Sequence, residues 1–108
     1  MSLYLTRARY TPEAYKGMIA NPAERASIAR GMFDAAGMKM QNIWMSGKGD
    51  VVCIVEGNAV SGTAVAMVVM ASGAFSDAES VELITPEQHV EAMKLASNVA
   101  AKYRAPGK

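Results

Sequence analysis

The four residues Gly47-Lys48-Gly49-Asp50 lie between Met38 to Ser46 and Val51 to Glu56, two segments rich in strand formers. Two glycines able to take positive φ make them a tight connection, so the flanking segments are expected to pair as a β-hairpin. Counting the loop as Lys48-Gly49 or as all four residues gives the same symmetric register: Ser46 opposite Val51, Trp44 opposite Cys53 and Asn42 opposite Val55. Those six residues would share one sheet face, with Ile43, Met45, Val52 and Ile54 on the other. Both faces then carry large apolar groups that need covering. Within the turn, Gly47 and Gly49 serve the backbone. Asp50 is expected to accept hydrogen bonds from the turn's own amides, a base at a pocket mouth being the other reading.

The rest of the chain supplies what packs on this hairpin. Ser2 to Tyr10 reads as a strand stopped by Thr11-Pro12. Thr11 and Asn21 each precede a proline, as an N-cap does, and Asn21 has Glu24 three residues on. A short helical turn is expected after Thr11. A full helix is expected from Asn21 to Gly37, with Ala26, Ala29, Phe33 and Ala36 on its apolar face. Ala59 to Ser72 reads as a second helix, apolar all round from Ala64 to Ala71 and therefore expected to be buried on more than one side. Gly73 ends it and Ala74 to Ile84 is the fourth strand. Thr85-Pro86-Glu87-Gln88 is a capping box opening a last helix to about Ala101, with Val90, Met93, Ala96 and Ala100 as its stripe. Residues 104–108 are expected to be a flexible tail.

The element order is strand, helix, strand, strand, helix, strand, helix, and Ala36-Gly37-Met38 echoes Ser72-Gly73-Ala74. Right-handed crossovers in such a split repeat bring the first and third strands together at the centre. The expected fold is α+β and ferredoxin-like, βαββαβ with an extra C-terminal helix. Its four-stranded antiparallel sheet has order 4-1-3-2 and helices on one side. At 108 residues one domain spanning 1–108 accounts for the chain. The uncovered sheet face predicts a homodimer or higher homo-oligomer, two copies closing a barrel.

Composition removes several function classes. Hydrophobic residues make up 51% and charged ones 19%, with a net charge of +1 and no block of like charge, so neither nucleic acid nor a membrane surface is an expected partner. The longest apolar run, Ala64 to Ala71, falls short of a membrane span, and Met1-Ser2-Leu3-Tyr4 lacks the pattern of an export signal. A lone cysteine, Cys53, in the apolar run Val51 to Val55 suits a reducing cytoplasm.

With that order established, the chain resembles the GYD domain family, small proteins of largely unassigned function related to the dimeric α/β barrels. The resemblance runs from Tyr4 to about Glu91. It rests on Arg9-Tyr10-Thr11-Pro12-Glu13, Asn21-Pro22-Ala23-Glu24-Arg25, Trp44 with Gly47 and Asp50, and Thr85-Pro86-Glu87. Gly49 stands where the family has the tyrosine of its name. The resemblance implies fold and dimer more than an activity.

The candidate ligand pocket comprises Tyr4, Tyr10, Asn42, Trp44 and Cys53, an apolar surface with polar handles. Packing of Trp44 in a core or an interface is the alternative. Arg7 and Arg9 lie on the opposite face of the first strand from the two tyrosines. His89, the only histidine, has Glu87 and Glu91 nearby but not on its helical face, so no metal is expected. No phosphate-cradling motif implies a nucleotide, and no cofactor is expected. Nine methionines, Met67 and Met70 among them, follow core periodicity. Two functions remain. One is an oligomeric module that binds a small aromatic or lipophilic molecule or serves assembly. The other, by analogy with related barrels, is a cofactor-independent monooxygenase or isomerase; the residues leave open whether the chain is an enzyme.

Overall fold

The computed structural model describes residues 2–108. Its elements are β1 (Ser2–Tyr10), α1 (Pro12–Ala20), α2 (Ala26–Ala35), β2 (Lys39–Met45), β3 (Asp50–Gly57), α3 (Ala59–Ala71), β4 (Phe75–Leu83) and α4 (Pro86–Ala100). All strands join one antiparallel sheet of order β2-β3-β1-β4, the α+β, ferredoxin-like arrangement expected from the sequence.

The hairpin exists, but its register differs from the symmetric one. Met45 pairs with Val51, Trp44 with Val52, Ile43 with Cys53 and Asn42 with Ile54. The cause is an odd loop. The Ser46 amide donates to the Asp50 carbonyl at 2.8 Å, and the Gly49 amide donates to the Ser46 carbonyl at 3.1 Å. That leaves Gly47, Lys48 and Gly49 as a three-residue loop with Gly49 at φ 96°. Because strand side chains alternate, one residue of slip moves all of β2 to the other face. Trp44 and Cys53 therefore lie on opposite faces. A bulge at Gln41 then restores Met40, paired with Val55, to the Cys53 side.

Local helix signals are partly borne out. Thr11 caps α1 by accepting from the Ala14 amide, but α1 is a full helix of 9 residues rather than a turn. Asn21 closes α1 instead of opening α2: its amide donates to the Gly17 carbonyl, and Pro22 follows as proline often follows a helix end. The next helix starts at Ala26, where the Glu24 carboxylate accepts from the Ser27 amide at 3.4 Å. Gly37 and Gly73, both at φ 77°, end α2 and α3 as expected. The capping box of Thr85 and Gln88 opens α4, with Pro86 in its first turn.

The core lies between the sheet and its helices. Phe33 of α2 and Val65 of α3 meet Val51, Cys53 and Val55 of β3, with Met38 and Met40 closing one end. Gly57 is needed there, since a Cβ would lie 2.7 Å from the Met38 Cε. Only Val65 of α3 is buried, contrary to the expectation for so apolar a helix. Val60, Met67 and Val68 stand exposed, since no other described element covers them. The stripe of α4 is likewise exposed. No helix among the described residues is long and apolar enough to cross a membrane.

Candidate functional site

A cleft opens where the helices leave the sheet uncovered. α2 packs on β2 and α3 on β4, the two edge strands, so the central strands β3 and β1 lie beneath a gap. Small side chains keep that gap open: Ala8 and Ala78 on its floor, Ala29 on the α2 wall, Gly62 and Ala66 on the α3 wall. The resulting cavity has a volume of about 520 Å³, within the roughly 300–1,000 Å³ of small-molecule sites. Met32, Phe33, Val65 and Val69 make its apolar sides, and Thr6, Ser80, Asn58 and Thr63 are polar residues of its lining, Asn58 and Thr63 bonding at the start of α3 to the Ser61 amide and the Ala59 carbonyl.

Three of the residues expected in a pocket border this cavity and two do not. Tyr4, Tyr10 and Cys53 line it. Asn42 and Trp44 stand on the opposite sheet face, Trp44 with 66% of its surface exposed, for the register reason given above. Tyr10 is held by its neighbours, stacked on Phe75 with ring centroids 4.7 Å apart and edge-on to Tyr15 at 5.5 Å. Burial pushes the Cys53 thiol up, an effect partly offset by its hydrogen bond with Thr6, so the sulfur is protonated at neutral pH and is a weak nucleophile. Thr6 and Ala8 were accessible to sequence reasoning, because they alternate with Tyr4 and Tyr10 along β1. The helix walls were not.

The other sheet face carries a charge network. The Arg7 guanidinium donates to Glu79 at 2.7 Å, Asp50 at 2.9 Å and Asp77 at 2.6 Å. Asp50 also meets Arg9, whose guanidinium donates in addition to the Lys48 carbonyl at 3.0 Å. Asp50 thus does not serve the turn's own amides as expected. The Ser46 hydroxyl does that, accepting from the Lys48 amide at 3.0 Å, while Asp50 is drawn to the arginines of β1. The hydrogen bonds that Arg7 donates to Glu79 and Asp77 raise its pKa, and Arg7 in turn lowers that of Asp77.

The GYD domain family matches residues 4–93, most of the chain. The chain belongs to the GYD family. Among solved structures it is similar to an uncharacterized NIPSNAP domain protein from Burkholderia xenovorans, with 16% identity and a TM-score of 0.44 over 79% of this chain and 94% of that one. No curated protein matches. In this GYD domain Gly49 has the left-handed backbone that glycine favours, and a Cβ there would meet the Tyr15 hydroxyl at 3.4 Å. The loop is fixed from β1, since the Tyr10 amide donates to the Gly49 carbonyl at 3.1 Å. This GYD hairpin is therefore a backbone device bordering the charge network, and its glycine lies outside the cleft.

Proposed function

We propose that this GYD domain binds a small, largely apolar organic molecule in the cleft between α2 and α3. The observation that carries this reading is the cavity of about 520 Å³ over β3 and β1, walled by apolar side chains and edged by a few hydroxyls. Catalysis is not part of the proposal, because the cleft pairs no nucleophile with a base among the described residues and the Cys53 thiol is held protonated. A free, buried Cys53 suits a reducing compartment such as the cytoplasm. Phenylnaphthylamine, an uncharged dye that fluoresces on leaving water, tests the site. It should bind the native protein with a blue-shifted emission and raise the melting temperature, as any ligand selective for the folded state does. Ala78→Leu, which places a larger side chain on the cleft floor, should weaken binding at least tenfold while leaving the far-ultraviolet circular dichroism unchanged. Equal binding by the variant would overturn the assignment.

A second reading, assembly, has its own observation. The open sheet face presents Leu3, Leu5, Val52 and Ile54, half-buried, beside exposed Trp44 and Val81. A second copy of the chain apposed there would remove this surface from water, stabilising the pair by roughly 25 cal/mol per Å² of apolar area. Light scattering at micromolar concentration should give twice the chain mass. A stable monomer would contradict the reading, and Trp44→Glu should shift a dimer toward monomer.

A further inference from the structure

Three charged residues border the cleft: Arg7, Arg25 and Glu79. Arg7 and Glu79 bond to each other at 2.7 Å on the opposite sheet face and bring no free charge to the cavity. Arg25 differs from them. It is the residue preceding the first turn of α2, is exposed, and makes neither an ion pair nor a side-chain hydrogen bond among the described residues. The adjacent Glu24 makes no ion pair with it; that carboxylate accepts from the Ser27 amide. Arg25 also borders an adjoining space of about 320 Å³ formed with Tyr10, Ala14, Met18 and Asn21. It thus stands where the two cavities meet, an uncommitted guanidinium at the edge of an apolar cleft.

We propose that the ligand class is an amphiphilic organic anion, its rings or short acyl chain lying in the cleft and its carboxylate or sulfonate meeting Arg25. This rests on the cleft being the ligand site, and it adds the charge and the end-to-end orientation of the ligand. A guanidinium offers such a head group two parallel N–H donors, which a lysine ammonium does not. The apolar walls recognise the body without selecting its sign.

The test compares anilinonaphthalene sulfonate with phenylnaphthylamine, which share a ring system and differ by the anionic group. The sulfonate should bind the native protein about three- to tenfold more tightly, as expected for one partly solvated charge-assisted contact. Arg25→Gln, at an exposed position, should abolish that difference without changing affinity for the uncharged dye, and Arg25→Lys should restore part of it. The preference should also shrink in high salt. Equal affinities in the native protein, or equal loss of both dyes in Arg25→Gln, would overturn the anion proposal and leave the cleft reading standing. Binding of neither dye, or of both unchanged by Ala78→Leu, would overturn the cleft reading and this proposal together.

Discussion

Replacing Gly49 by alanine probes the hairpin geometry on which the whole assignment of faces depends. Gly49 sits at φ 96°, where an L side chain is strained by about 1–3 kcal/mol. Alanine also reduces the freedom of the unfolded chain, which returns about 0.4–1 kcal/mol. Contact adds little, because the new Cβ would meet the Tyr15 hydroxyl at 3.4 Å, an ordinary separation. The net expectation is a loss of about 1–2 kcal/mol, or a fall in melting temperature of about 5–15 °C for a domain of this size. Gly47 supplies the control in the same loop. Its φ is not positive and a Cβ there meets nothing within 4 Å, so Gly47→Ala should be neutral or stabilising. Thermal melts followed by circular dichroism, run on both variants and the parent, decide the matter. If Gly49→Ala proves as stable as Gly47→Ala, Gly49 does not hold a left-handed conformation. The three-residue loop would then fail, and with it the placement of Trp44 opposite Val52.

Further outcomes follow from the core and the titrating groups. Phe33→Ala removes the largest buried side chain of α2 and should destabilise by about 3 kcal/mol, the low end of such substitutions because the adjoining cleft lets neighbours relax; urea unfolding measures it. Asp77 has its pKa lowered by Arg7, so its contribution is present above the usual carboxylate value near pH 4 and is lost as pH falls through the lowered folded value. Arg7→Met should therefore flatten the acid limb of stability below the usual carboxylate value near pH 4, as read by urea midpoints. For Cys53, whose pKa is raised by burial, the sign is opposite. Its contribution is whole below the usual thiol value near pH 8.5 and is lost as pH rises through the folded value. Cys53→Ala should flatten that alkaline limb, and in the native protein thiol reagents should modify Cys53 far more slowly than free cysteine.

What the sequence disclosed is what short stretches of chain decide. Gly37 and Gly73 end helices because a left-handed residue is needed there, and Thr85 with Gln88 opens α4 through bonds made within one turn. The sheet order followed from the handedness of crossovers, and the family resemblance from motifs spread over nearly the span that the family matches. Parity was not legible in the same way. Two, three and four residues all suit a glycine-rich loop, and the choice between odd and even rests on which glycine takes positive φ. That one choice moved Trp44 and Asn42 out of the pocket and left Cys53 inside. Asn21-Pro22 was ambiguous for a related reason, since a proline suits both the residue after a helix end and the first turn of the next helix. The cleft itself depends on Ala29, Gly62, Ala66 and Ala78, small residues from separate elements that only the folded chain brings together. The apolar surface of α3 was plain in the sequence, but hydrophobicity does not say which molecule covers it.

The most direct test of the central claim is an isotope-filtered nuclear Overhauser experiment on the labelled protein saturated with phenylnaphthylamine. Protons of the bound ring should show contacts to methyl groups of Val65, Val69 and Ala8, which border the cleft, and none to the Trp44 indole. Contacts to Trp44 without the cleft methyls would place binding on the open sheet face and contradict the account.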